Sequence, residues 1–192
     1  MATMGKHGIT KNTPGNILLG AGTYYKGLEY KENAWSGTCV GATSGGGKIS
    51  ITGELVDIEL DGALVKVKGL TVKQGGAANM EVSFAELSGD TLKMGALLEE
   101  GVSGVDGYTM LVDKPNITEG DYVTNFGFVG KTADGTKDII VIFEYALCTS
   151  GIEIEPKAKE NAVLKLTLEA YADIEGDLDT LPIKIYYPQA AA

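Results

Sequence analysis

The stretch from Ile49 to Lys73, ISITGELVDIELDGALVKVKGLTVK, constrains the fold more than any other part of the chain, because it reads as one long β-hairpin. Asp61-Gly62 is the two-residue signal for a type I′ turn. Folding there predicts Leu60 opposite Ala63, Ile58 opposite Val65 and Val56 opposite Val67 on one face, with Asp57 facing Lys66 on the other. Nearer the base, the same register pairs Ile51 with Val72 and Gly53 with Leu70, on the opposite face, because side chains alternate strictly along a strand. The base can therefore bury one face in its own domain while the tip turns Val56, Ile58, Leu60, Val65 and Val67 away from it. Five apolar side chains facing away from their own core want a partner surface, and these five are the predicted subunit interface.

The remainder of the sequence agrees with a chain built from strands. A second hairpin is expected from Tyr122 to Gly130 and Asp138 to Leu147 around Asp134-Gly135, pairing Phe126 with Phe143, Phe128 with Val141 and Lys131 with Asp138. Ile139 to Phe143 is apolar on both faces, as a strand covered on both sides requires, and it is a second candidate assembly surface. Further strands are expected at Ile17 to Tyr25, Thr38 to Thr43 and Asn79 to Leu87. Another spans Ala162 to Asp173, with Leu164, Leu166, Leu168, Ala170 and Ala172 inward, and Ile183 to Tyr187 forms an edge bracketed by Pro182 and Pro188. One short helix is expected over Gly89 to Leu98, with Ser88 as N-cap, Asp90 in the first turn and Gly101 to end it. The fold class is mainly β: two packed antiparallel sheets, a sandwich or open barrel, with one short flanking helix. Residues 1–16 read as a flexible arm, 17–188 as a single β domain carrying the hairpin at 49–73, and 189–192 as a tail.

Charge and residue usage narrow the function. The net charge is −10, and all 16 basic residues are lysine. Arginine is the residue suited to bidentate phosphate and base recognition, so its absence argues against a specific nucleic-acid binder, though not against a channel through which nucleic acid slides. Cys39 and Cys148 lack CxxC spacing and read as two small buried thiols in a reducing compartment, with a disulfide between them left open by the sequence. No secretory h-region precedes Pro14, and no apolar run approaches the ~18 residues needed to span a bilayer. A soluble protein that does not bind membranes is expected.

Three stretches invite a chemical reading and fall short of it. His7 is the only histidine and lies in the N-terminal arm, which leaves no two-histidine metal site and argues against a Ser-His-Asp or Cys-His catalytic arrangement. Ala42 to Ile49, ATSGGGKI, resembles a phosphate loop, but Ile49 stands where Ser or Thr is needed and opens a strand in place of a helix. Asp173, Glu175, Asp177 and Asp179 alternate in a loop, but Gly176 is misplaced for an EF-hand loop and Lys184 stands where its last Glu belongs. A solvated acidic turn is the plainer expectation. No catalytic, cofactor or metal residues are assigned, and the chain reads as a non-enzyme.

Several segments occur in an order that carries a family likeness. VGATSGG (Val40 to Gly46), DIELDG (Asp57 to Gly62), VKGL (Val67 to Leu70), AELSGDTLKMGALL (Ala85 to Leu98) and PKAKENAVLKLTLEAYAD (Pro156 to Asp173) together resemble the major tail protein family of long-tailed bacteriophages and prophages. The likeness covers roughly residues 16 to 188 and rests on the order of the segments, since none is a catalytic signature. It implies a tail-tube fold in which six copies form a ring and rings stack into a hollow tube around a tape-measure protein, with tail terminator and tail-tip proteins at its ends. It also implies a long hairpin reaching to neighbouring rings, assembly in a bacterial cytoplasm, a place in the virion tail and DNA as non-specific passing cargo. Outward acids such as Glu153, Glu155 and Glu169 could then line an acidic wall that repels DNA over about a Debye length, ~8 Å. Alternatives remain: a tube protein of a contractile, secretion or headless tail particle, or a surface β-sandwich module that binds carbohydrate or protein.

Overall fold

The computed structural model of the chain describes residues 8–156, 158–159 and 161–189. The strands are β1 (Leu18–Lys31), β2 (Ala34–Cys39), β3 (Thr43–Asp57), β4 (Thr71–Phe84), β5 (Glu99–Gly101), β6 (Met110–Val112), β7 (Val123–Thr132), β8 (Asp138–Cys148), β9 (Leu164–Ala170) and β10 (Ile183–Tyr186), with one α-helix, α1 (Gly89–Ala96). The expected mainly β class with a short helix is what forms. His7, the start of the expected N-terminal arm and the tail beyond Gln189 lie outside the described residues.

A single antiparallel sheet runs β2-β1-β7-β8-β9-β4-β3, and β5 with β6 makes a small second one. The two expected layers are opposite parts of that single sheet. β8 is where it divides: one side follows β7 throughout, while the other pairs Ile140–Phe143 with β10 and Ala146–Cys148 with β9. The sheet then folds back over itself. Tyr24 on β1 lies edge-on to Phe84 on β4, with ring centroids 6.2 Å apart, although several strands separate them in the sheet order. Gly47 on β3 leaves the room for the Tyr24 hydroxyl, since a Cβ there would lie 2.1 Å from it. Between the layers sit Phe84, Phe126, Phe143, Met80, Leu164, Leu166 and Leu168, all fully buried.

Bulges in β1 make this turning possible. Its pairing with β2 shifts register between Lys26 and Glu29, where Gly27 adopts φ +62. Glycine takes that left-handed conformation without the steric penalty of a Cβ, and the extra residue bends the strand. It also switches faces, so Tyr24 points into the core while Leu28 joins Ile140 and Ile142 on the reverse side. The strand expected to stop at Tyr25 therefore continues to Lys31.

Helix α1 follows its sequence signals at the start and departs from them at the end. Ser88 Oγ accepts from Thr91 N–H at 3.1 Å, and Thr91 Oγ1 accepts from Ser88 N–H at 2.9 Å, a reciprocal cap. Leu97, in the left-handed region at φ +55, closes the helix before Gly101, which sits in β5. Met94 enters the core and Gly95 lets the helix approach β9, where a Cβ would lie 2.8 Å from Leu166. Residues 10–16, expected to belong to the arm, form local turns tied down by Tyr187, whose hydroxyl donates to Asn16 Oδ1 at 2.9 Å.

Candidate assembly surface

The β3–β4 ladder has a supported base and an unsupported end. β4 pairs with β9 only from Asn79 to Phe84. From Ala78 outward to Thr71 its partner among the described residues is β3 alone, so Ile51–Asp57 and Thr71–Ala78 make a two-stranded ribbon. At ~3.4 Å per residue this arm extends about 20 Å. A register break separates Gly53↔Gly76 from Leu55↔Lys73, with Gly75 at φ +82 and Gly76 at φ +153.

The register differs from the one predicted around Asp61-Gly62. Val56 pairs with Val72 and Asp57 with Thr71, and residues 58–70 connect the strands. A turn does form at the dipeptide, with Ala63 N–H donating to Leu60 C=O at 3.2 Å. Gly62 is left-handed at φ +90 while Asp61 is not, whereas a type I′ turn needs both residues there. An unprimed turn has the wrong twist to continue into a two-residue hairpin, so the flanking segments splay. Two further bonds close the connection: Ile58 N–H to Leu70 C=O at 2.7 Å and Leu70 N–H to Val67 C=O at 3.1 Å.

The five residues predicted as an interface therefore lie at one end of the arm but not on one strand face. Val56 is half-buried in the ladder, while Ile58, Leu60, Val65 and Val67 are exposed in the connection. The surface is also broader than predicted. Leu64 is 99% exposed, and Leu55 and Val72 are exposed too. The predicted register assigns Leu55 and Leu64 to the polar face, which is why the sequence reading leaves them out. The polar side is pinned by Asp57, which accepts from Thr71 Oγ1 at 2.6 Å and pairs with Lys66 Nζ at 2.5 Å. The Lys66 ammonium, with help from the Thr71 hydroxyl, holds the Asp57 carboxyl below its ordinary range, and Asp57 in turn raises Lys66.

The second candidate assembly surface is internal. Ile140, Val141, Ile142 and Phe143 are buried within the subunit, the first and third beneath the reverse-side cluster, so this strand is not available to a partner.

The chemical candidates resolve into local structure. Ser44–Ile49 lies within β3, and Lys48 pairs with Glu81 at 2.9 Å. An open groove of about 810 Å³ runs beside it, bounded by Gly45–Lys48, Glu81, Lys165 and the strap bearing Glu153 and Glu155. In the acidic loop Asp173 accepts from Glu175 N–H at 3.0 Å and Asp177 from Asp179 N–H at 2.9 Å and Thr180 Oγ1 at 2.7 Å. Those carboxylates are spent on turns, and among the described residues no three His, Cys, Asp or Glu side chains group as metal ligands would. Both cysteines are free thiols; Cys148 is buried as expected, whereas Cys39, expected to be buried too, is exposed at the end of β2. Among the described residues, no helix is long and apolar enough to cross a membrane.

On the reverse side, the Trp35 ring packs against Tyr30 and Tyr186, with ring centroids 5.2 Å and 4.8 Å apart and interplanar angles of 57° and 74°. These rings are crossed and form no flat platform. Compared with known proteins, the chain matches no family model and no curated sequence.

Proposed function

We propose that this protein is a structural component that assembles with copies of itself into a tube of the phage-tail kind, with six subunits to a ring and rings stacked end to end. In this reading the β3–β4 arm is the contact between copies. The observation that carries it is the uncovered apolar end of the arm, Leu55, Ile58, Leu60, Leu64, Val65 and Val67, on a ribbon that outruns its third strand. At about 25 cal/mol per Å² buried, covering such a set contributes several kcal/mol per contact before the costs of association. A contact between unlike surfaces closes into rings or continues as a filament, the two features a tube combines.

The order of tail-protein-like segments supports the same reading, and so does the charge. Six copies at −10 each carry −60 (6 × 10 = 60), and none has an arginine to grip phosphate. A conduit of that character passes duplex DNA without holding it. Tape-measure, terminator and tail-tip proteins would be its partners, in a virion tail or in a related headless or secretion tube. A sugar-binding surface module would want coplanar exposed rings, and the crossed Tyr30, Trp35 and Tyr186 favour it less.

Electron microscopy of the concentrated protein tests the proposal, with rings or tubes expected. The double variant Ile58→Asp and Val65→Asp should abolish them while the subunit melts as before. A strictly monomeric protein at high concentration, also in the presence of its cognate tail proteins, would sink it.

A further inference from the structure

The arm holds two hairpins in one sequence, and we infer that it switches between them. One is the ladder described above, with Asp57 opposite Thr71. In the other, Glu54–Leu60 pairs with Ala63–Gly69 around Asp61-Gly62, and Leu70–Gly75 loops out. This goes beyond the tube reading, because it describes the isolated chain.

Four observations prepare the second state. The turn is already seeded, since Ala63 donates to Leu60 and Gly62 already has the positive φ that a type I′ turn needs, whereas Asp61 must still move to positive φ. The ion pair between Asp57 and Lys66 is already made, although the present ladder does not put these residues opposite each other; the second would. Slack can be taken up at the break between Gly53 and Leu55, where Gly75 and Gly76 both have positive φ and tolerate rearrangement. Lastly, little burial holds the present register: β3 and β4 are exposed from Ile51 to Leu55 and from Thr71 to Ala77, and Val56 and Asp57 are only half-buried.

The states exchange one set of contacts for another. The present ladder keeps Leu55–Lys73, Val56–Val72 and Asp57–Thr71, together with the bond from Ile58 N–H to Leu70 C=O. The second gives these up and gains a longer ladder at the tip, at the cost of a looped-out segment. It also sets Val56, Ile58, Leu60, Ala63, Val65 and Val67 on one face by strict alternation. A continuous apolar stripe thus exists in only one of the two states.

Disulfide trapping in a Cys39→Ser background tests the switch on the isolated chain, so its outcome is separate from whether tubes form. Leu55→Cys with Lys73→Cys reports the present ladder, Leu55→Cys with Lys68→Cys the second, and Leu55→Cys with Leu64→Cys belongs to neither. Under mild oxidation the Leu55/Lys68 pair should close about tenfold faster than Leu55/Leu64. Adding Asp61→Asn, which strengthens the type I′ turn, should speed it further, and Gly62→Ala should slow it. Without cysteines, Asp61→Asn alone should raise the hydrogen-exchange protection of the Val65 and Val67 amides. Equal closure of Leu55/Lys68 and Leu55/Leu64 would mean a merely flexible connection and overturn the inference, as would indifference of the amides to Asp61→Asn.

Discussion

The β7–β8 and β3–β4 hairpins both carry an Asp-Gly dipeptide between strands of strong β propensity, yet only one folds in the register that dipeptide predicts. Around Asp134-Gly135 the pairs Phe126↔Phe143, Phe128↔Val141 and Lys131↔Asp138 all form as expected. Even there the turn is not the two-residue form: Thr132 N–H bonds to Lys137 C=O at 3.0 Å, and residues 133–136 make the loop. Burial secures that register independently of the turn. The phenylalanines of β7 enter the core while Gly127, on the other face, lies beneath Leu28. A one-residue slip would exchange those faces. Among the described residues no fully buried side chain fixes the arm from Ile51 to Asp57 in this way, and there the ladder settles several residues away from the position that the dipeptide favours. A turn signal sets register only where packing agrees with it.

The contrast can be broken most directly at the two extremes of burial. Phe143→Ala should cost about 3–5 kcal/mol in chemical denaturation, the usual range for emptying a buried aromatic site. Leu64→Ala should change the same measurement by less than about 0.5 kcal/mol, as expected for an exposed position. A comparable loss at Leu64 would mean that the arm packs on its own domain and that the two hairpins are alike.

Glycine substitutions sharpen the comparison at a smaller scale. A Cβ on Gly127 would lie 2.3 Å from Leu28 Cδ2 and 2.9 Å from its Cβ, so Gly127→Ala should cost about 1–3 kcal/mol of global stability through overpacking. Gly62→Ala meets nothing within 4 Å but sits at φ +90. Its strain, about 1–2 kcal/mol, should appear in hydrogen exchange of the arm and leave the global unfolding midpoint almost unmoved.

The smallest expected effect is electrostatic. The Asp57 carboxyl is lowered in the folded arm, so its contribution is complete above the ordinary carboxylate value of ~3.9 and lost as pH falls below it. Lys66 is raised, so its contribution is complete below the ordinary lysine value of ~10.4 and lost as pH rises above it. Protection of the Ile58 amide should therefore be flat between about pH 5 and pH 9 and weaken outside that window. Asp57→Asn should remove the acid limb, and a limb that survives this change would belong to another group.

Much of the domain is legible in local chemistry alone. The alternation of Leu164, Leu166 and Leu168 identifies the inward face of β9, and all three are buried there; Ala172, expected to continue it, is exposed beyond the strand's end. Ser88 announces the start of α1, because capping depends on residues a few positions apart. The apolar character of Ile139 to Phe143 foretells a strand covered on both faces, but not that β8 pairs with three others. Sequence period sets which face of a strand is apolar; which distant strand covers it depends on loop closure and competing partners.

The apolar residues at the end of the arm are likewise visible in the sequence, whereas their placement is not. Composition and period alone determined that this chain would be a β protein with apolar surface to spare near Asp61-Gly62. Only the tertiary structure decided that β1 continues through a bulge at Gly27, that Tyr24 meets Phe84 across the folded sheet, and that the arm pairs Asp57 with Thr71. Period and turn propensity act over a few residues. Register in an exposed ribbon, and closure of a sheet on itself, are settled by contacts between residues far apart in the chain.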